Sequence, residues 1–208
     1  MTKDEIKIEL EKKYPGAIEH VRALLDVLEP ETGGREGLVD TPYRVVKSFL
    51  ELYKGYDETP KDILSTCFTD GVKDKANGMV LCDHITFYST CEHHMIPFSG
   101  VCHIGYIPSG KVVGLSKLVR LVHTYARRLQ IQENLCSQIA EAIMEYLEPS
   151  GCGVVMVAKH LCTSARGVQN HTNHMSTSEM RGSFLDEPAT RAEFLQLIEL
   201  SGSINLSI

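Results

Sequence analysis

The spacing of apolar residues changes at Asn77-Gly78, and that change limits the fold more than any other feature of the chain. Before it, the spacing is helical. Ile18, Val21, Leu24, Leu25 and Leu28 fall on one face, and Val45, Val46, Phe49, Leu50 and Tyr53 on another. After it, residues 79–90 are rich in β-branched and aromatic side chains, as a strand requires. The break separates a helical region, 1–77, from a second region, 78–208.

Local signals refine each region. Thr2 with Glu5 makes a capping box. Residues 29–34 read as a loop. Thr41 can cap the next helix, with Pro42 at its first position. A short helix is expected near 61–67. In the second region, 101–107 is a strand candidate, and Pro108-Ser109-Gly110 reads as a hairpin turn into Val112-Val113. Ser116 opens a helix carrying Leu118, Leu121, Val122 and Tyr125. Residues 130–147 continue helically until Gly151-Cys152-Gly153 breaks the run. Residues 154–159 form a buried strand, 166–184 are extended, and 188–200 are a last helix. Helices followed by strands and helices in this order predict an α+β fold around an antiparallel sheet.

Charge and cysteine usage narrow the function. Lys and Arg number 21 against 27 acidic residues, a net charge of −6. A general nucleic-acid binder carries a basic face instead, so no nucleic-acid partner is expected. A small anion held by local cations is still allowed. No apolar run has the ~18 residues of a membrane span, and the charged start MTKDEIKIELEKKY lacks a secretory apolar core, so a cytoplasmic protein with no membrane partner is expected. The seven cysteines, an odd number, argue for metal binding or burial over a disulfide framework.

Four clusters carry chemistry. Cys91-Glu92-His93-His94 puts a thiol and an imidazole at the spacing that grips one ion, and this pairing favours zinc. The rival reading is a strand end with polar residues. His160-Leu161-Cys162 adds a third candidate ligand, Cys162. Three protein ligands leave a fourth position for water, the mark of a catalytic rather than a structural site. His103, His123, His171 and His174 are further candidates for a fourth ligand, but each reads first as a surface or core histidine. In Ser116-Lys117-Leu118-Val119-Arg120, Lys117 and Arg120 share a helix face in the first turn, where the dipole disfavours cations. An anion at the free amides would resolve that conflict, against a plain reading as a solvated basic face. The Arg127-Arg128 pair keeps the plain reading. Gln132-Glu133 starts the next helix, where a glutamate can accept two N–H bonds from a purine edge or simply face solvent.

Taken in order, Asp40-Thr-Pro-Tyr-Arg44, Cys91-Glu-His-His94, Gly114-Leu-Ser-Lys117, Arg120, Gln130-Ile-Gln-Glu133, His160-x-Cys162 and Arg166-Gly167 resemble the GTP cyclohydrolase I family over most of the chain. The resemblance implies a helical N-terminal region followed by a T-fold, an antiparallel sheet with helices packed on one face. It implies the conversion of GTP to 7,8-dihydroneopterin triphosphate with release of formate, in a toroidal homodecamer with active sites at subunit interfaces. Zinc would be held by Cys91, His94 and Cys162. Lys117, Arg120 and Arg166 would bind the triphosphate, with Arg44 reaching in from a neighbouring subunit. Glu133, helped by Gln132, would hold the guanine edge. His160 would be the general acid/base, and His93 and Ser116 would assist later proton transfers.

The chain departs from that pattern at Val157, where the family usually has an acidic residue, at Thr163-Ser164, and in the loop holding His171 and His174. Two rivals are a T-fold nitrile reductase, which would need a nucleophilic cysteine and a nicotinamide cofactor, and a binding module with a four-ligand structural zinc. The chain shows no glycine-rich dinucleotide fingerprint, and His93 and His160 are superfluous to a structural zinc.

Overall fold

The computed structural model describes residues 2–30, 35–69 and 78–203. Residues 31–34 of the expected loop and Asn77 of the expected break lie outside the described residues. Among the described residues no helix is long and apolar enough to cross a membrane. The chain divides into two compact units, Met1–Tyr53 and Lys54–Ile208.

The first unit holds helices α1 (Lys3–Lys13), α2 (Pro15–Leu28), α3 (Glu36–Val39) and α4 (Thr41–Leu52). The capping box is present. The Glu5 N–H donates to Thr2 Oγ1 at 3.2 Å, and the Thr2 N–H donates to Glu5 Oε2 at 2.7 Å. Thr41 does not cap α4. The turn α3 runs directly into α4, so Asp40 takes the cap position with near-helical angles, and Thr41 lies inside the helix with its hydroxyl on Gly37 O. Leu10, Ile18 and Val46 form a small core with Ile6, Tyr14, Val21 and Tyr43 against it. Leu24, Leu28, Phe49 and Leu50 remain exposed. The periodic apolar faces are thus wider than this unit's own core covers.

The second unit begins with a 3₁₀ turn, Lys54–Asp57, then α5 (Pro60–Leu64) and β1 (Cys67–Phe68). There follow β2 (Val80–Cys91), β3 (Pro97–Ile107), β4 (Val112–Val113), α6 (Leu115–Ala126), β5 (Leu129–Gln130) and α7 (Gln132–Leu147). The unit ends with β6 (Gly151–His160), α8 (Leu161–Ser164), β7 (Met175–Gly182), α9 (Ser183–Asp186) and α10 (Pro188–Ser203). Five strands form one sheet in the order β5-β2-β3-β6-β7, antiparallel except where the short β5 runs parallel to β2. The fold is α+β, as expected.

Three local expectations change. The turn at 108–110 forms, with Gly110 at φ 84°, but β4 does not return to β3. It pairs with β1, and the Val113 N–H donates instead to the Tyr106 hydroxyl at 3.2 Å. Gly151-Cys152-Gly153 lies inside β6. The helix before it ends at Glu148, which takes a left-handed conformation. Leu129–Gln130 is strand rather than helix, so α7 starts at Gln132.

Helices α6 and α7 cover one sheet face. Cys102, Ile104, Tyr106, Val154 and Met156 meet Leu118, Leu121, Leu135, Ile139 and Ile143 there in one buried core. On the alternate face Gly105 pairs with Gly153. A Cβ on either would collide with Phe184 of α9 and Phe194 of α10, so two paired glycines make room for two rings.

Candidate active site

Strands β2 and β6 flank β3 and both run against it, so their C-terminal ends lie at the same end of the sheet. Cys91 is the last residue of β2. The chain turns tightly after it: the Met95 N–H donates to Cys91 O at 2.8 Å, and the Cys91 N–H to Ile96 O at 3.0 Å. Met95 sits at φ 53°, which lets the turn close. His93 and His94 ride on this turn. Cys162 follows β6 by two residues and sits in α8. Strands two places apart lie about 10 Å apart, so the ladder alone would leave these groups separate. The turn and α8 close the gap, and the ligand atoms of Cys91, His94 and Cys162 come within 4.8 Å of one another.

This set fits a metal ion. Cys91 Sγ is 3.9 Å from His94 Nδ1. A tetrahedral ion with bonds of about 2.0–2.3 Å spaces its ligand atoms by roughly 3.3–3.8 Å, so the Cys91–His94 pair is already close to ligand spacing. In the free thiols, burial and the adjacent Cys91 sulfur push the Cys162 pKa up. A cation at this point reverses that effect, because thiolates are its ligands. Among the described residues no fourth His, Cys, Asp or Glu joins the group. His93 Nδ1 lies 3.7 Å from Cys91 Sγ but outside the set.

His160 closes β6 directly opposite Phe98, the second residue of β3. That register stacks the imidazole on the buried phenyl ring, with centroids 4.5 Å apart and planes 5° from parallel. Half-burial lowers the His160 pKa, and the nearby Glu133 carboxylate partly opposes this. Nε2 of His160 lies 2.9 Å from Oε1 of Gln132, which is fully buried. Glu133, next in α7, is exposed.

Lys117 and Arg120 line a different depression, a cleft of about 550 Å³ on the same unit. Lys54, Arg127 and His123 also line it, together with Asp57, Glu58 and Asp62. None of Cys91, His94 and Cys162 is among its lining residues. Gly114 caps α6, and the Lys117 N–H donates to Gly114 O at 2.8 Å. Ser116 and Arg166 are exposed. Arg44, also exposed, belongs to the first unit and pairs there with Asp40 at 3.6 Å. Sequence reasoning missed Phe98 and the cleft cations Lys54 and Arg127. Nothing near Phe98 in the chain signals its role, because its neighbour His160 is set by strand register. Arg128 departs from the expected solvated face: it is half-buried and donates to Gly55 O and Thr124 O.

Comparison with known proteins agrees with this geometry. The sequence profile of GTP cyclohydrolase I matches residues 17–199. The chain is 50% identical to GTP cyclohydrolase 1 of Wolinella succinogenes over 186 residues, covering 89% of this chain and 97% of that protein. It is 51% identical to the Campylobacter curvus protein of the same name over 169 residues, covering 81% and 87%. It is 48% identical to that of Coxiella burnetii over 181 residues, covering 86% and 96%. A profile match across nearly the whole chain, together with half-identical relatives aligned along almost their full lengths, establishes that the chain belongs to the GTP cyclohydrolase I family.

Proposed function

We infer that the chain converts GTP to 7,8-dihydroneopterin triphosphate and formate, the first step of pterin and folate synthesis. The observation that carries this reading is the gathering of Cys91, His94 and Cys162 within 4.8 Å at the strand ends where His160 also sits. Two thiolates and an imidazole suit zinc, and zinc held by them would supply Lewis acidity for hydrolysis at neutral pH.

The remaining work falls to the side chains. C8 of guanine is a poor electrophile until N7 gains a proton, and His160 would manage that proton. Its ring is held by the Phe98 stack, and half-burial lowers its pKa, which favours the neutral ring. Hydrolysis at C8 opens the imidazole ring, and a second hydrolysis releases formate. The ribose then rearranges and closes onto the freed amine. Those later steps are proton transfers, for which His93 and Ser116 are the proposed helpers. Glu133, exposed in the first turn of α7, would accept the guanine N–H edge. Lys117 and Arg120, at the start of α6, would hold the triphosphate with the free amides there, and Arg166 and Arg44 would add charge. The triphosphate is not cleaved, so its binding energy serves to fix C8 in place. Lys117 and Arg120 line a cleft that includes none of the metal ligands. That separation supports a site assembled from more than one copy of the chain, in a ring-shaped homo-oligomer.

The test is incubation of purified protein with GTP, with and without a chelator, assaying formate and the oxidised fluorescent pterin. Equal formate and pterin, lost on chelation and restored by zinc, is the expected result. Formate without pterin would place the defect at His93 and Ser116. Neither product from a zinc-loaded, assembled sample would overturn the reading in favour of a binding module.

A further inference from the structure

Gln132 opens α7 and is fully buried, so every polar atom on it needs a partner. Its amide nitrogen lies 3.2 Å from Met156 O, 3.0 Å from Met175 O and 3.1 Å from Thr177 Oγ1. Two of these are backbone carbonyls, which can only accept. Turning the amide over would set its oxygen against both, so the orientation is determined: the NH₂ faces β6 and β7, and Oε1 faces His160. Oε1 is 2.9 Å from His160 Nε2. An amide oxygen only accepts, so the hydrogen of that bond sits on Nε2. The stack on Phe98 fixes the plane of the imidazole, and the amide fixes its rotation within that plane.

Resting on the reading that His160 exchanges a proton with substrate, we propose that Gln132 is a positioning residue that holds His160 as the Nε2–H tautomer and leaves Nδ1 as the ring nitrogen working at the purine. The attacking water gives one proton to Nδ1, and Nδ1 passes one proton on to N7 of the purine, so the ring ends the step as it began. Between those events Gln132 Oε1 accepts from Nε2–H and stabilises the charged ring. The alternative role, a direct amide contact to guanine, requires Gln132 to withdraw its two N–H donors from the acceptors that surround them inside the fold. Such buried polar partners are costly to leave unpaired. The proposal also accounts for the Gln-Glu order in the chain. The first residue of α7 points inward to the strands, and the second remains exposed for a ligand.

Two measurements test it. Neutron diffraction from the zinc-loaded, unmodified protein should show deuterium on His160 Nε2 and none on Nδ1. The reverse pattern overturns the proposal without any variant. Gln132→Met keeps the side-chain length and removes the acceptor. It should retain zinc and lower kcat roughly 100-fold, with KM for GTP changed less than about threefold. A raised KM with unchanged kcat would make Gln132 a guanine contact and overturn the proposal. Wild-type protein that makes neither formate nor pterin overturns the function reading itself, and with it the catalytic half of this proposal. Active wild-type protein with a Nδ1–H tautomer overturns the proposal alone.

Discussion

Gly100 lies on β3 where that strand meets β6, and replacing it with alanine tests how tightly sheet and site are joined. A Cβ at Gly100 would fall 2.0 Å from Val157 O and 2.6 Å from Ala158 Cα. The nearest atoms are all backbone, so no side chain can rotate away. Reaching ordinary contact at 3.4 Å needs the two strands to part by about 1.4 Å. Parting on that scale weakens two or three ladder hydrogen bonds at about 1 kcal/mol each, a loss of roughly 2–3 kcal/mol. The damage falls close to the chemistry: Phe98 and His160 form the cross-strand pair two residues beyond Gly100 and Ala158. A displacement of ~1 Å in a positioned group can cost about 100-fold in rate. Gly100→Ala should therefore lower both the melting temperature and kcat, and by more than it lowers metal content. Gly37→Ala is the control, since a Cβ there meets nothing within 4 Å. The assays are thermal unfolding, zinc content and turnover of GTP at saturation. If Gly100→Ala melts and turns over like the control, the claimed coupling between the β3–β6 ladder and His160 is wrong.

Cys162→Ala leaves two ligands, so zinc content should fall to background and formate and pterin should both vanish; ring opening by the zinc-free variant would refute the ligand role. His103 is 5% exposed, and burial, then His84, lower its pKa. The unfolded chain, with a pKa of about 6.5, binds the proton more readily. Stability is thus full above pH ~6.5 and is lost as pH falls from there through the folded pKa. Melting of metal-free protein between pH 8 and 5 should show this loss, and His103→Gln should flatten it; equal acid slopes in the two proteins would exclude His103 as the cause. Thr2→Ala removes the capping box and should cost about 1 kcal/mol, read as faster amide exchange in α1; unchanged exchange there would mean that the cap contributes nothing.

The chain itself determined the residue types and their order. Helical and strand spacing are local properties, so α1, α2, α4, α6, α7, α10 and the long strands could be placed approximately from them. Cys91-x-x-His94 and His160-x-Cys162 are likewise local spacings, each legible as half of a site. That the two halves meet was not a local property. It depends on β3 lying between β2 and β6, which brings their ends together although about seventy residues separate them, a non-local pairing that depends on burying one sheet face under α6 and α7. The partner of Val112-Val113 shows the same limit. A Pro-Ser-Gly turn specifies a reversal of direction but not the strand that receives it, and Cys67-Phe68 won over Val101–Ile107. Gln132 shows it most clearly. The sequence offered a polar residue beside Glu133, fit for a ligand or for solvent. Only the folded chain, by surrounding its amide with two carbonyls and a hydroxyl, decided which way that amide faces and so which nitrogen of His160 carries the proton.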